Sequence, residues 1–442
     1  MIGRALNGLD GDDLLSRLAR GGFAELLIKV AAAGLSFLMF LFVARAVGAE
    51  DYGRFGFGFS LAMFLSVVAS LGLHTGILRW WPEYGARNEA GEAARIAVLG
   101  GIWTGLTVLG VTVALVLVVP AFAGSGSEGP GYLYAAALLI LPLALAEYMA
   151  STLRAQGSVI LALGAKDVAW RLAIILVAMW AILSGAALPV PGLFAFSAAT
   201  LALLVLVQIA RFYQAMPRGG AGAAAPASRR ALLLTTFPMW GAAVLYSISQ
   251  HVDVLLLGLF ISPGQVGPYF AAAKIANLMG LILVAANMVV APVISRLFHS
   301  GELGQLQRVL RTVSLGVAIP TLAGFALIAA AGTQLLEFFG PGFSEAFVPL
   351  LVLSAGFGFN ALCGPTGYVL QMTGQERGYV RIMSVTYTAS FVTQLVLIPL
   401  LGTLGAAIGT CLGLVVWNLW ARRMAMQRLN LDPTIFAWGR KG

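Results

Sequence analysis

Gly48 to Phe57 reads GAEDYGRFGF, and Ser262 to Phe270 reads SPGQVGPYF. Each stretch is a short polar turn between two long apolar runs, and each sets a glycine a few residues ahead of an aromatic. Gly53 and Gly267 stand 214 residues apart. A hinge written twice at half-chain spacing predicts an internal duplication, and two further matches carry a similar offset. Arg154-Ala155-Gln156-Gly157 answers to Gln371-Met372-Thr373-Gly374 at 217, and Ser197-Ala198-Ala199-Thr200 answers to Ala407-Ile408-Gly409-Thr410 at 210. Glycine in such turns permits left-handed backbone and a tight start to the next helix. The repetition therefore speaks to architecture and adds no chemistry.

Composition identifies the solvent this duplicated unit is built for. The 442 residues are 60% hydrophobic and 10% charged, with a mean hydropathy of +0.91. Soluble globular chains carry about 25% charged residues. Apolar runs of about 18 to 25 residues recur from end to end, each long enough to cross the hydrocarbon core. Hydropathy places twelve spans at 23–44, 55–73, 95–120, 131–153, 160–184, 190–212, 231–258, 268–292, 311–333, 346–370, 378–399 and 403–421. The expectation is an all-α polytopic membrane protein of 12 transmembrane helices in two six-helix bundles. QAMPRGGAGAAAPASRR, residues 214–230, is rich in Gly, Ala and Pro and reads as a cytoplasmic linker. It separates an N-terminal lobe, 1–213, from a C-terminal lobe with a cytoplasmic tail, 231–442. An even number of spans per lobe makes the repeat parallel, about an axis along the membrane normal.

The net charge of +9 is topological on this reading, so no nucleic-acid partner is expected. With the N-terminus inside, 23 of the 27 lysines and arginines fall on cytoplasmic segments or adjoining helix ends. The outer loops hold Arg45 and Arg54, and Lys29 and Lys274 lie within spans. That asymmetry orients a multi-pass inner-membrane protein with both termini in the cytoplasm. No cleavable signal peptide is expected ahead of the first span. Cys363 and Cys411 sit inside apolar runs, which argues against a disulfide framework. The sequence contains no P-loop, zinc-ligand cluster, HExxH or dinucleotide fingerprint, and its outer loops are short. It reads as a protein that is not an enzyme and needs no cofactor.

Charges within spans are expensive and usually face a cavity or a partner. Glu25 and Lys29 are four apart on one helix face, in the favourable acid-first order. They could neutralise each other, or Lys29 could present positive potential to a substrate cavity. Lys274 could do the same from the second half. Arg79, Arg87 and Arg154 could line an inner mouth, and Arg45 and Arg54 an outer one. Asp253, in SISQHVDVLLLGLF, has no cation within reach along its helix. It could bind a coupling proton or sodium ion, or could be an acid satisfied by a neighbouring polar side chain. Glu147 has the same two readings, as does Glu25 for the ion role. Lys166, Asp167 and Arg171 crowd the start of the fifth span and read as its cytoplasmic end.

Several ordered stretches resemble a known family. They are VARAVGAEDYGRFGF and LGLHTGILRWWPEYGA in the first half, then LLEFFGPGFSEAFVPLLVLSAG, GYVLQMTGQERGYVR and LIPLLGTLGAAIGT in the second. The chain resembles, over essentially its whole length, the polysaccharide-biosynthesis flippases, also called O-antigen exporter-like proteins. These share a superfamily with the lipid II flippase and the multidrug and toxin extrusion antiporters. The resemblance implies a V-shaped carrier of two six-helix bundles. It would move a polyprenyl diphosphate-linked oligosaccharide from the inner to the outer leaflet for cell-surface polysaccharide or lipopolysaccharide synthesis. Family cavities are lined with cations, which Lys29, Arg79 and Lys274 would supply. Membrane lipids, and a glycan polymerase or glycosyltransferases of the same pathway, would be its partners. A cation-coupled exporter of small molecules and a non-transporting scaffold of envelope assembly are the alternatives.

Overall fold

The computed structural model describes residues 11–87, 89–122, 131–216 and 229–437, and side chains over 28–87, 89–120, 131–216 and 236–437. Every regular element among them is helical. In hydrocarbon a spanning segment must satisfy its own peptide groups, and a helix does so within one segment. Among the described residues eleven helices are long and apolar enough to cross a membrane, and the chain is a multi-pass membrane protein.

Twelve spans were expected, and the difference lies at the first hinge. Helix α1 (Gly11–Ala69) runs through the first two of them. Its apolar part, Ile28–Ala69, has 42 residues, or roughly 63 Å at 1.5 Å each, about twice a hydrocarbon core. The helix is broken at Gly48, with φ 80° and ψ 173°, a backbone that glycine adopts cheaply. The expected loop thus shrinks to a single residue. Glu50 and Asp51 fall in the first turn after it, where the helix dipole favours acids. Arg54, expected in an outer loop, is helical there, with Nη1 2.5 Å from Asp51 Oδ1 and Nη2 2.8 Å from Glu50 Oε1.

The remaining helices are α2 (Leu73–Ala86), α3 (Ala90–Val118), α4 (Gly131–Ala155), α5 (Val159–Leu163), α6 (Trp170–Ser184), α7 (Val190–Gln214) and α8 (Arg229–Phe260). They continue with α9 (Pro263–His299), α10 (Leu303–Glu337), α11 (Phe347–Leu362), α12 (Thr366–Met372), α13 (Glu376–Leu401) and α14 (Thr403–Leu429). A π-helical turn, Gly164–Ala169, joins α5 to α6. The expected tenth span is interrupted at Gly364, φ 63°, where an added Cβ would lie 2.7 Å from the Pro433 carbonyl oxygen.

The chain forms two compact units, Met1–Met39 with Gly58–Ser247, and Phe40–Phe57 with Ile248–Gly442. In the first, α4 is the most enclosed helix, with 72% of its apolar window buried, so it is the axis on which α2, α3 and α7 pack. Tyr148 of α4 donates to the Ala97 carbonyl at 2.6 Å, above Gly100, where any side chain would strike the Tyr148 ring. Trp170 Nε1 donates to Ser197 O at 3.0 Å. Trp240 Nε1 donates at 2.9 Å to Val68 O, one of the carbonyls left over at the end of α1.

In the second unit the two copies of the hinge meet. A Cβ on Gly53 would collide with the Pro263 carbonyl and stand 2.9 Å from Gly267 N, while one on Gly267 would collide with the Ala49 carbonyl and stand 3.0 Å from Gly53 N. Ala49 and Pro263 are separated by the same 214 residues as the glycines, so the contact is reciprocal, as in a two-fold interface. The first helix presents the small residues Ala49 and Gly53 four apart, the spacing that lets membrane helices approach backbone to backbone, and the second meets it with Gly267 and the Pro263 carbonyl. Around the crossing Tyr52, Tyr269, Phe270, Phe339 and Phe343 are fully buried. The Tyr52 ring centroid lies 5.4 Å from that of Phe270 and 5.6 Å from that of Phe343.

A clamp after α14 closes this unit. Arg422 reaches both carboxylate oxygens of Asp432, at 3.2 and 2.6 Å. Gln307 of α10 exchanges two hydrogen bonds with the Asp432 backbone, and Ser314 Oγ donates to Pro433 O at 2.5 Å. Burial acts to raise the Asp432 carboxyl, but the hydrogen bonds from Arg422 and Thr434 outweigh it and hold the group below its ordinary value.

Gly53→Leu and Gly267→Leu should each cost roughly 1–3 kcal/mol or more from overpacking, read as a lower Tm in detergent. Gly34→Leu, where an added Cβ meets nothing within 4 Å, should leave Tm unchanged. Asp432 titrates below its unfolded value of about 3.9, so its stabilisation is present above that pH and lost as pH falls through the folded value. A Tm–pH series should show the parent losing more stability below about pH 4 than Asp432→Asn does.

Candidate functional site

Each unit holds a group of charges enclosed among its apolar helices. In the first unit the cluster is built on the π-turn. The Trp170 N–H bonds to Ala165 O, five residues back, so the helix is locally widened, a feature frequent at functional sites. Gln208 of α7, 1% exposed, donates its amide to the carbonyls of Leu161 and Ala162 at 3.1 and 3.2 Å. It thereby satisfies carbonyls in the turn that precedes the widening.

The π-turn carries Lys166 and Asp167, whose side chains diverge to different helices. Lys166 Nζ bonds Glu147 Oε2 on α4. Asp167 lies 3.7 Å from Lys29 Nζ on α1. It also accepts from Arg171 Nη1 at 3.1 Å, and Arg171 donates to its backbone carbonyl at 2.7 Å. The Lys29 contact is longer than a hydrogen bond, and that side chain remains 40% exposed while Asp167 is 11% exposed. Asp167 is therefore an enclosed anion held firmly by Arg171 and loosely by Lys29. Arg154, at the end of α4, donates to Ser151 Oγ at 3.3 Å. It shares an electrostatic neighbourhood with Glu147, Lys166 and His74.

In the second unit Asp253 of α8 is 8% exposed. Its Oδ1 accepts from its neighbour's amide, Val254 N, at 2.8 Å, and its Oδ2 accepts from the Tyr269 hydroxyl at 2.8 Å. Lys274, five residues beyond Tyr269 on α9, couples electrostatically to both Asp253 and His251. Its Nζ lies 4.7 Å from the Phe40 ring centroid and 4.4 Å from that of Phe270, within reach of cation–π attraction to both.

Lys274 thus lies within electrostatic range of Asp253, and Arg154 within that of Glu147. The structure gives Lys29 the acid Asp167; the other acid considered for it, Glu25, lies outside the described side chains. Arg79 and Arg45 are exposed on α2 and α1. Sequence reasoning passed over Asp167, Lys166, Arg171 and Tyr269 as site residues. Three charges within GAKDVAWR, in a run otherwise apolar, were the available signal for the first three. Tyr269 carried none, since a tyrosine at a helix start is ordinary at an interface.

Comparison with known proteins agrees with this architecture. A family model described as "Polysaccharide biosynthesis protein" matches residues 18–298. The "Probable flippase AglR" of Haloferax volcanii is 31% identical over 196 residues, which is 42% of this chain and 40% of that protein. The chain thus matches less than half the length of that relative. Among solved structures, an inward-facing multidrug resistance MATE family transporter of the MOP superfamily superposes with a TM-score of 0.72 at 16% identity, over 90% of this chain and 94% of the other. The lipid II flippase MurJ, in an inward closed conformation, gives 0.69 at 15% identity, over 90% and 87%. At these identities the likeness is one of fold.

Removing the shared carboxylate should hurt more than removing its loose partner. Asp167→Ala leaves Arg171 enclosed without its counter-ion and should cost about 3 kcal/mol or more. Lys29→Ala, losing a half-exposed pair, should cost no more than about 1 kcal/mol. Thermal unfolding in one detergent compares them directly.

Proposed function

The chain belongs to the polysaccharide biosynthesis protein family, and from that premise we propose that it carries a lipid-linked oligosaccharide, on a polyprenyl diphosphate, from the inner to the outer leaflet. The one observation that carries this reading is the loosely paired cation Lys29, 40% exposed and 3.7 Å from its acid. A diphosphate entering hydrocarbon loses its hydration at great cost, and an accessible ammonium on an apolar helix offsets that loss. Because Asp167 keeps Arg171, Lys29 can turn to an anionic head group without leaving a bare buried carboxylate. No bond is made or broken in the carried molecule, so the work is binding and exchange between two access states.

The finer architecture belongs to the same proposal. The 42-residue apolar part of α1 supplies two crossings on either side of Gly48, for twelve in all. These form two parallel bundles of six, from 1–213 and 231–442, with both termini and the 214–230 linker on the cytoplasmic side of a bacterial inner membrane. Arg79, Arg154 and Arg45 serve the mouths, Lys274 acts in the second lobe, and Asp253, Glu147 and Glu25 are the acids available for ion coupling. The glycan polymerase or glycosyltransferases of the pathway are its partners. Asp253, enclosed in apolar surroundings, also supports a second reading, a cation-coupled exporter of small molecules.

Proteoliposomes with a polyprenyl diphosphate glycan and an outer-leaflet accessibility readout separate the two. Flippase activity should slow at least tenfold in Lys29→Ala and persist in Lys29→Arg. Failure of the parent to move the glycan lipid, with gradient-driven efflux of a cationic dye instead, would replace the first reading by the second.

A further inference from the structure

Beside the π-turn, on the surface of the first unit, runs a groove. One wall is α5 with the turn, from Gly157 to Ala169, and the other is α7 at Leu204, Val207 and Gln208; between them is a space of about 690 Å³. Pockets of about 300–1,000 Å³ enclose most of a small ligand's surface. The walls run antiparallel, because Gln208 bonds to the carbonyls of Leu161 and Ala162 whereas Trp170 bonds to that of Ser197. The groove therefore has two distinct ends. Gly157, Ser158 and Gln208 lie at one, and Ala169 and Leu204 toward the other.

The two ends differ in chemistry. Leu204, Val207, Gln208 and Arg211 fall on one stripe of α7, since residues three and four apart share a helix face. Arg211, in the last turn of α7, thus continues the groove wall past Gln208; it is exposed and has no ion pair among the described residues. Ser158 is exposed at the same end, and its hydroxyl makes no capping bond. Beyond them the lining is apolar, with Ile160 78% exposed, and Leu203 and Leu206 are exposed alongside on α7. In a membrane helix such side chains face hydrocarbon. A cation and a hydroxyl at the mouth, followed by an apolar channel, complement a molecule with an anionic head and one hydrocarbon chain in line.

We propose that this groove is a binding site for an anionic glycerophospholipid of the surrounding bilayer, with one acyl chain in the channel and the phosphate at Arg211 and Ser158. An acyl chain of ordinary length has the bulk of a drug-sized ligand and fits such a volume, whereas a polyprenyl tail is several times larger. A guanidinium offers phosphate a charge-assisted, two-pronged contact. Gly164 leaves the room that the chain occupies: it has helical backbone, φ −59° and ψ −34°, yet an added Cβ would meet nothing within 4 Å. The same glycine opens the π-turn that carries Lys166 and Asp167. A chain seated there packs on the turn that places those charges, and binding to the folded state alone stabilises it. The site does not depend on which molecule the protein carries.

Native mass spectrometry of the full chain in detergent, titrated with dioleoyl phosphatidylglycerol, tests the site without any transport assay. Gly164→Leu fills the channel and Arg211→Gln removes the charge; Arg308→Gln removes an exposed arginine of the second unit and serves as the control. The parent and Arg308→Gln should retain one phosphatidylglycerol, and both groove variants should bind it at least tenfold more weakly. Dioleoyl phosphatidylcholine, with the same chains and no net charge, should bind the parent at least tenfold more weakly too. Phosphatidylglycerol should also raise the Tm of the parent and not that of Gly164→Leu. The proposal is overturned if a folded Gly164→Leu protein retains the lipid as the parent does, or if Arg211→Gln and Arg308→Gln lose it equally. Arg211→Gln changes only an exposed side chain, so it decides the matter should Gly164→Leu fail to fold. Displacement of phosphatidylglycerol by an equal concentration of polyprenyl phosphate would give the groove to the prenyl chain instead and overturn the acyl assignment.

Discussion

The second unit is organised around one backbone-to-backbone crossing, where Ala49 and Gly53 lie against Pro263 and Gly267. Neither helix can carry a side chain at its glycine, because the space is filled by the carbonyl of the other. That approach sets what stands beside it. Phe270, three residues past Gly267, meets Phe40 at 5.3 Å between ring centroids. The two rings form the site in which Lys274 is held. Tyr269, on the adjacent position, is turned to Asp253. One close backbone contact thus stands beside a cation, an acid and the hydroxyl that donates to that acid.

The first unit solves a different problem, that of placing five charges within apolar helices without stranding any. A regular helix separates successive side chains by about 100° and binds each carbonyl four residues on. Widening the turn at Gly164–Ala169 changes both, so that Lys166 and Asp167 serve different neighbours. The peptide groups are completed from outside by Gln208, at the same time as the charges are completed by Glu147, Lys29 and Arg171. The cluster is asymmetric. Arg171 and Asp167 are local and enclosed, whereas Lys29 comes from a distant part of the chain, is 40% exposed and is the more loosely held.

Much of this molecule was legible in the sequence because the relevant forces are local or one-dimensional. The length and number of the apolar runs specify an all-helical, multi-pass membrane protein without any knowledge of packing. Even the first hinge was legible as a break. What differed was its size, since a single glycine at φ 80° does the work assigned to a loop. Charges costly in lipid were also visible as such, which is why Lys29, Glu147, Asp253 and Lys274 stood out.

Their partners were not visible. Lys29 and Asp167 are 138 positions apart, and Phe40 and Lys274 are 234, and no periodicity joins residues on different helices. The sequence by itself determined the membrane environment and the helical class, because hydrophobic length acts along the chain. Only the tertiary structure decided which acid meets which cation, where a helix widens, and which hydroxyl reaches Asp253. Those outcomes depend on how closely helices can approach, and that is set by side-chain volume in three dimensions.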